Sequence, residues 1–283
     1  MAIEHISDTA RWVAVYRAME TERPDAIFRD PYARLLAGDR GEDIVNAMAR
    51  GRSMAWAMIV RTALFDEIIL DVLRQDRVDM VINLAAGLDA RAWRMDLPAD
   101  LRWVDVDLPE ILAYKADVLR HETPTCRYEA VAADLREASV RQALFARLGN
   151  ESHRALVVTE GLLVYLTEPQ VSALATDLHA MRTFQWWLID LASPRLLEIM
   201  RKYWGKAVER GSAPFLFGPA QGTAWFAPMG WREVQFRSTM LEGRRLRREM
   251  RGTWLWRFLS RLSSRKRQEE FVRMSGTVLL ERR

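Results

Sequence analysis

Two residues 20 positions apart have the types and spacing to hold a nucleoside between them. Gly87 follows the apolar run Met80–Leu84 across a turn of small residues, and Asp107 closes a second apolar run that begins at Arg102. In a doubly wound α/β domain, small residues after the first strand let a ligand lie against the backbone, and an acid closing the second strand can accept both ribose hydroxyls. The spacing therefore predicts a site for an adenosine-containing cofactor.

Four further residues fit the same site. Asp134 follows a third apolar run and is suited to accept a hydrogen bond from an adenine amino group, while Leu135 offers the ring apolar surface and a backbone amide. Glu160 closes a fourth run, and Arg61 is a candidate partner for a carboxylate on the cofactor. Each has a plainer interpretation: acids after strands often cap helices, Arg61 could be a surface arginine, and Glu160 could belong to a buried ion pair. An acid or a glycine at four strand ends together favours the cofactor site.

Alternating strand and helix patterns surround these residues. Strands are predicted over residues 80–84, 102–107, 127–132, 155–160 and 185–191, two later strands over 231–237 and 276–280, and helices after residues 7–9, over 55–73, over 110–120 and after a cap at Thr167. Such alternation predicts an α/β fold with a doubly wound, seven-stranded, mostly parallel Rossmann-like sheet. We expect one domain: an N-terminal helical cap (1–75), a cofactor-binding core (76–195), and a substrate lid with the terminal strands (196–283).

Composition narrows the class of protein. The 283 residues are 49% hydrophobic, which suits a large folded core. A single cysteine, Cys126, excludes intrachain disulfides, and the four histidines share no metal-ligand spacing, so no bound metal is expected. The chain start lacks the pattern of a signal peptide and no run of about 18 apolar residues occurs, so we expect a cytoplasmic protein.

Several short motifs give the chain a resemblance to a known family. They are Thr9-Ala10-Arg11, Arg17-Ala18, Phe28-Arg29-Asp30-Pro31, Arg61-Thr62, Asn83-Leu84-Ala85-Ala86-Gly87-Leu88-Asp89, Asp105-Val106-Asp107-Leu108-Pro109-Glu110, Asp134-Leu135-Arg136 and Glu160-Gly161-Leu162-Leu163-Val164-Tyr165-Leu166. Together they cover roughly residues 8 to 195, and the chain resembles the leucine carboxyl methyltransferase family. It is most similar to the bacterial branch of S-adenosylmethionine-dependent O-methyltransferases, which includes enzymes acting on polyketide acids.

The resemblance implies a class I methyltransferase fold, with S-adenosyl-L-methionine as the cofactor. Position by position, Ala85, Gly87 and Leu108 would line the cofactor, Asp107 would hold its ribose, and Asp134 and Leu135 would frame its adenine. Arg61 would pair with the methionine carboxylate, and Glu160 would lie near the methionine amino group. Family members usually have glycine where Ala85 stands and threonine where Ala90 stands. The extra methyl of Ala85 lies where the backbone must approach the ligand.

The nucleophile decides which catalytic groups the reaction needs. A carboxylate is ionised at neutral pH and requires no general base, whereas a phenol has a pKa of about 10 and would want one. Since no histidine falls in a motif, the sequence favours carboxyl methylation over methylation of a phenol or hydroxyl group, and the resemblance implies a small, polyketide-like acid as the acceptor. Arg17 and Tyr165 are the candidates to steer the acceptor carboxylate, although Tyr165 could equally be a core aromatic.

The last third of the chain carries an uneven charge and many aromatic residues. From Arg237 to Arg267 there are eleven arginines and lysines against two acids. We favour a helical cover with solvated arginines there, with an anionic partner or a membrane surface as the alternatives. The tryptophan-rich stretch 204–231 contains prolines and glycines and predicts a long loop serving as a lid, or else simple core filling.

Two rival functions follow from the same fold. A nicotinamide-dependent oxidoreductase would need the glycine pattern that Ala85 and Asp89 interrupt. A non-catalytic protein that binds S-adenosylmethionine or nucleic acid has only the basic segment in its favour, and no RNA-binding motif accompanies it. We therefore expect a small-molecule acid as the partner, without nucleic acid. The sequence leaves the acceptor's identity and the oligomeric state open.

Overall fold

Seven strands form one sheet in the computed structural model, which describes residues 8–47, 51–210, 214–249 and 264–283. The strands are β1 (Met80–Leu84), β2 (Arg102–Asp107), β3 (Arg127–Ala132), β4 (Ala155–Thr159), β5 (Phe184–Ala192), β6 (Trp231–Ser238) and β7 (Ser275–Arg282). The helices are α1 (Asp8–Thr21), α2 (Ala33–Ala47), α3 (Ala55–Asp76), α4 (Arg91–Arg94), α5 (Pro109–Val118), α6 (Ala138–Glu151), α7 (Glu168–Ala180), α8 (Pro194–Arg210), α9 (Thr239–Arg245) and α10 (Arg265–Val272). Short 3₁₀ helices lie at Arg52–Met54, Leu163–Tyr165 and Gly222–Met229.

The sheet has the strand order β3-β2-β1-β4-β5-β7-β6. Strands β1 to β5 pair in parallel, and β7 runs antiparallel between β5 and β6. The chain moves outward from β1 to β3 and then returns to start β4 beside β1, so the strand order reverses at that point. Such a switch point opens a crevice at the carboxyl ends of the strands, where ligands bind in this class of fold. The predicted seven-stranded, mostly parallel α/β fold is confirmed.

The central strands form where they do because both of their faces are covered. Every residue of β1 and of β4 is buried, which explains their continuous apolar sequences. Alternate side chains enter two cores: Val81 and Leu156 face one layer of helices, while Ile82 and Val157 face the other. The predicted bounds of β1, β2 and β3 match the structure, and β4 ends one residue earlier than predicted.

Helix α7 begins at the predicted cap. The Thr167 hydroxyl accepts from the Gln170 backbone amide, and the Gln170 side chain accepts from the Thr167 amide, so the two residues form a capping box. Val171, Leu174 and Leu178 are buried on its apolar face, as the sequence indicated.

Helix α2 occupies a region that the sequence did not identify as helical. Gly38 interrupts it with φ 60° and ψ −179°, so that each side of the kink is too short to show a clear 3.6-residue period. Gly41 packs against α1, because a Cβ there would lie 3.0 Å from Val15 Cγ2.

The tryptophan-rich stretch differs from the predicted long loop. Helix α8 extends to Arg210, and residues 222–229 form a 3₁₀ helix. Phe226 is fully buried and packs edge-on against Trp187 of β5, with ring centroids 5.5 Å apart. The alternative, core filling, is therefore right for this 3₁₀ helix, because Phe226 belongs to the core on one face of the sheet and does not line the cavity.

The basic segment is partly tied to the rest of the protein. Arg248 pairs with Glu20 at 2.7 Å, and this carboxylate is fully buried at the end of α1. Arg237 and Arg245 both pair with Glu67 of α3. The expectation of solvated arginines is therefore wrong for Arg237 and Arg248, which are largely buried, whereas Arg245 stays exposed in its ion pair. All three join the C-terminal segment to the N-terminal helices. Trp254, Leu255, Trp256 and Phe258 fall outside the described residues.

Candidate cofactor and acceptor site

One cavity of about 840 Å³ opens at the carboxyl edge of the sheet. One side, which we call the cofactor half because it holds the residues predicted to bind the cofactor, is formed by residues at or just after the ends of β1 to β5: Asn83, Ala85, Ala86, Gly87, Leu88, Asp89, Asp107, Leu108, Asp134, Leu135, Glu160 and Asp190. The side that we call the acceptor half is formed by α1, the residues around the start of α3, α8 and residues 214–217. The sequence-predicted site residues Arg17, Arg61, Ala85, Gly87, Asp107, Leu108, Asp134, Leu135, Glu160 and Tyr165 all line this cavity.

The turn after β1 has an unusual backbone. Gly87 has φ 51° and Ala85 has φ 53°, so an alanine holds a left-handed conformation that favours glycine. The turn closes where the Asp89 amide donates to the Ala86 carbonyl at 3.0 Å. A Cβ on Gly87 would lie 3.0 Å from Ala10 Cβ on α1, so glycine here lets the N-terminal helix approach the turn.

Asp107 joins β2 to that turn. One carboxylate oxygen accepts from the Gly87 amide at 2.6 Å, and the other accepts from the Leu108 amide at 2.7 Å. Burial raises the pKa of the Asp107 carboxyl above its ordinary value, although these two hydrogen bonds oppose the shift. Because each carboxylate oxygen has a second lone pair, Asp107 can still accept from the two hydroxyls of a ribose.

Asp134 and Leu135 follow β3, the edge strand beside β2. Asp134 accepts from Arg136, whose Nη2 lies 2.7 Å away, and this hydrogen bond lowers the pKa of the Asp134 carboxyl. The Leu135 carbonyl accepts from Arg141 Nη1 at 2.7 Å, which fixes the backbone beside its apolar side chain. An amino group entering here would share the Asp134 oxygens with the Arg136 guanidinium.

Arg61 reaches the strand ends from α3 and meets two acids. Its Nε lies 3.0 Å from Glu160 Oε1, and its Nη1 lies 3.2 Å from Asp190 Oδ2. Burial alone would lower the pKa of the Arg61 guanidinium, but Asp190 and Glu160 raise it, so that the charge persists. Asp190 also accepts from the Gly161 amide at 2.7 Å.

Asp190 and Arg91 were not among the predicted site residues. Asp190 interrupts the apolar run of β5 near its carboxyl end, as Glu160 follows β4, so the strand-end rule could have found it. Arg91 is buried and lies 2.7 Å from both Asp89 Oδ2 and Glu160 Oε2. Burial alone would raise the pKa of the Asp89 carboxyl, but Arg91 and neighbouring cations hold it well below its usual range. No local sequence signal distinguishes Arg91 from a surface arginine.

Tyr165 lies where the two halves of the cavity meet. Its hydroxyl hydrogen-bonds to Thr9 of α1, and its ring stacks on Phe215 with centroids 5.6 Å apart. Burial raises the pKa of Tyr165 to about 12 despite the nearby Arg61 charge. The phenol therefore stays protonated at neutral pH and can donate a hydrogen bond into the cavity.

Arg17 lines the cavity from α1 but is largely engaged with the protein. Its Nε donates to Asp30 at 2.7 Å, and its Nη2 donates to the Leu88 carbonyl at 2.6 Å. These contacts hold α1 against the turn after β1. A direct contact between Arg17 and an acceptor stays a prediction.

The acceptor half is mainly apolar. The walls include Trp12 and Val13 of α1, Met54 and Met58 near the start of α3, Leu196 and Met200 of α8, and Phe215. Methionine side chains adapt their shape, so this surface suits a bulky apolar molecule rather than one of fixed polar pattern. No histidine lines the cavity in the described ranges, nor do those ranges hold a group of three or more acids, histidines or cysteines suited to a metal.

Known proteins resemble the chain in both sequence and fold. Residues 10–179 match the leucine carboxyl methyltransferase family. The chain is 34% identical over 238 residues to a Streptomyces avermitilis protein named "Putative S-adenosyl-L-methionine-dependent methyltransferase/SAV474", with 79% of this chain and 82% of that protein covered. It is 32% identical over 242 residues to a similarly named Frankia alni protein, FRAAL3718, with coverage of 81% and 83%.

A solved structure shares the architecture at low sequence identity. The crystal structure of a DUF574 family protein from Streptomyces avermitilis has a TM-score of 0.61 and 10% identity, with 95% of this chain and 97% of that chain covered. The fold is thus shared along nearly the whole chain. Within the described residues, no helix combines the length and hydropathy needed to cross a membrane.

Proposed function

The chain belongs to the leucine carboxyl methyltransferase family, and from that premise we propose that it is an S-adenosyl-L-methionine-dependent O-methyltransferase. Its proposed acceptor is the carboxylate of a small, bulky, apolar acid. The observation that carries the proposal is the two-sided cavity, with a polar cofactor half at the strand ends and an apolar acceptor half opposite.

The ribose and adenine would be held by the ends of β2 and β3. Asp107 is already fixed by the Gly87 and Leu108 amides, so it presents its free lone pairs without further ordering. The small residues of the turn after β1 leave the backbone approachable, and Leu135 offers apolar surface to a base. These features fit a nucleoside along the cofactor half.

The amino acid end of the cofactor would lie at Arg61. This guanidinium suits the methionine carboxylate, while Glu160 and Asp190 suit the ammonium group. Arg61 and Arg91 neutralise these two acids in the protein alone, so a bound amino acid zwitterion would add one carboxylate and one ammonium without changing the charge of this corner. The arrangement supports the roles of Arg61 and Glu160 that the family resemblance implies, and it adds Asp190.

Methyl transfer needs alignment more than acid–base chemistry. The bound cofactor supplies a methyl group on a sulfonium, which is electrophilic without activation by the protein. A carboxylate acceptor is ionised at neutral pH, and the described cavity wall carries no histidine to serve as a base for a phenol. The protonated Tyr165 would donate to one acceptor oxygen and orient the other toward the methyl group.

The apolar walls would bind the body of the acid and exclude water from its carboxylate. Desolvation strengthens an anionic nucleophile, and Trp12, Met58 and Phe215 offer surface for this on three sides. We therefore expect acids with large aliphatic or aromatic bodies to react better than short ones.

The proposal is tested by methyl transfer from labelled S-adenosyl-L-methionine to a panel of aliphatic, aromatic and peptide acids. A product that releases its label in alkali is an ester, as we expect, whereas an alkali-stable ether would contradict carboxyl methylation. The variant Tyr165→Phe serves as a matched change at the junction of the two halves. It should lower kcat about tenfold, the effect of one lost orienting hydrogen bond to a charged group, while the Kd for S-adenosylhomocysteine stays within twofold of wild type.

A further inference from the structure

A second acid of β2 lies behind the cavity rather than in it. Asp105 precedes Asp107 by two residues on the same face of the strand, and its carboxylate forms an ion pair with Lys115 of α5. Both side chains are only 1% exposed. Lysine is almost never buried this deeply without a partner, because removing an ammonium from water is costly.

The Asp105 carboxylate is surrounded by donors. Besides Lys115, it accepts from Trp103 Nε1 at 2.8 Å, Asn83 Nδ2 at 3.0 Å and the Tyr128 hydroxyl at 3.0 Å. These partners come from β1, β2, β3 and α5, so one acid joins three neighbouring strands and a helix.

Two of these donors also hold the end of the turn after β1. Lys115 Nζ donates to the Asp89 carbonyl at 2.9 Å, and Asn83 Nδ2 donates to Asp89 Oδ2 at 3.1 Å. Asp89 also closes this turn, because its backbone amide donates a hydrogen bond to the Ala86 carbonyl. The turn is therefore fixed at its start by the strand and at its end by two groups that share Asp105.

Stability alone does not explain this pair. A buried ion pair often contributes no more to stability than apolar side chains of the same volume, because desolvation offsets the attraction. The pair does, however, specify where the Asp89 backbone lies, which apolar packing cannot do. The turn contains the left-handed Ala85, a conformation that persists only when its surroundings determine it.

We propose that Asp105 and Lys115 are positioning residues for the cofactor, acting through Asp89 to hold the turn after β1 in the shape that receives the adenosyl group. The inference rests on the cofactor site proposed above. Neither residue lines the cavity, so neither touches the ligand directly.

The test is the double variant Asp105→Asn/Lys115→Met, which removes both charges and leaves no isolated charge in the core. We expect its Kd for S-adenosylhomocysteine, measured by isothermal titration calorimetry, to rise about 10- to 100-fold, the effect of misplacing binding groups by about an ångström. Tyr128→Phe removes one donor to Asp105 at a residue outside the cavity lining, and it should raise the Kd by less. This single variant decides the question if the double variant does not fold.

The control is Leu178→Ala, which opens a cavity beneath α7, away from the turn. It should lower Tm while its Kd stays within twofold of wild type. Wild-type affinity in the double variant and in Tyr128→Phe would overturn the inference and leave the proposed function intact. An equal loss of affinity in Leu178→Ala would also overturn it, because the effect would then be general loosening. Failure of the wild-type protein to bind S-adenosylhomocysteine would overturn the proposed function and the inference with it.

Discussion

The two halves of the cavity are built from different kinds of interaction. In the cofactor half, charged side chains meet at the carboxyl ends of parallel strands, and each makes short, directional contacts, such as those of Asp107 and Arg61. In the acceptor half, helices that cover the sheet present apolar and methionine side chains, including Met58 and Met200. The first half is ordered before any ligand enters, whereas the second can adapt its shape.

This difference determines how strictly each half selects its ligand. Directional hydrogen bonds to a preordered carboxylate favour one ligand chemistry, because an analogue without the matching groups leaves buried polar atoms unpaired. Apolar contacts discriminate by size and give only about 1–3 kcal/mol per group. We therefore expect the cofactor half to tolerate few changes and the acceptor half to tolerate many.

The largest expected effect comes from weakening the ion pair that secures α1, one of the walls of the acceptor half. Arg248→Met removes the close ion-pair partner of the Glu20 carboxylate, which is buried at the end of α1, and leaves it only the more distant Arg23 at 3.8 Å. We expect the free energy of unfolding to fall by about 3 kcal/mol, measured by urea denaturation. Arg265→Met is the control, because that guanidinium is 93% exposed in its own pair and should change stability by less than about 0.5 kcal/mol. Equal stability of the two variants would show that the Arg248 pair does not secure α1.

A change at the centre of the cofactor half should have the next largest effect. Asp107→Ala removes the ribose acceptor and the partner of the Gly87 and Leu108 amides. We expect the Kd for S-adenosylhomocysteine to rise about 100-fold, since hydrogen bonds to charged groups contribute about 1.5–3 kcal/mol each. Calorimetric titration measures this, and Asp117→Ala on the exposed side of α5 should bind as wild type does. An Asp107→Ala protein with unchanged affinity would remove the ribose assignment.

A change in the acceptor half should give a smaller effect of a different kind. Met58→Ala deletes apolar contact surface without altering any charge at the strand ends. With the best acid from the panel, we expect KM to rise about fivefold, equivalent to about 1 kcal/mol of lost apolar contact, while the Kd for S-adenosylhomocysteine stays the same. Met19→Ala, a half-buried methionine outside the cavity, is the control. If Met58→Ala weakens cofactor binding instead, the division into two halves is wrong.

The smallest expected effect is on stability, from a substitution in the turn after β1. Ala85→Gly relieves a left-handed alanine, whose conformation costs about 1 kcal/mol, so we expect Tm to rise by about 1–2 °C with cofactor affinity at least as high. Ala86→Gly, one residue further on, should instead lower stability by about 0.5–1 kcal/mol through added chain entropy. Differential scanning fluorimetry compares the two, and a lower Tm in Ala85→Gly would mean that the alanine methyl contributes packing which outweighs the strain.

Local pattern was enough to identify the sheet and most of the cofactor half. Strands β1 to β3 have the predicted bounds because short runs of strand-forming residues, buried in β1 and for most of β2, end at turns of small or acidic residues, a signal contained within a few positions. The acids Asp107, Asp134 and Glu160 line the cavity because parallel strands bring their carboxyl ends to one edge, whatever lies between them. Asp190 obeys the same rule.

Partners that are distant in sequence were decided by the tertiary structure alone. Arg61 meets Asp190 across 129 positions, and Arg248 meets Glu20 across 228 positions. No spacing predicts these pairs, because they depend on how the helices cross the sheet. The same holds for Phe226, which fills the core instead of covering the cavity. The sequence by itself determined where the strands lie along the chain and which acids stand at their ends, since those follow from local periodicity. Only packing decided which cation neutralises which acid and which helices close the apolar half, because those contacts depend on the three-dimensional path of the whole chain.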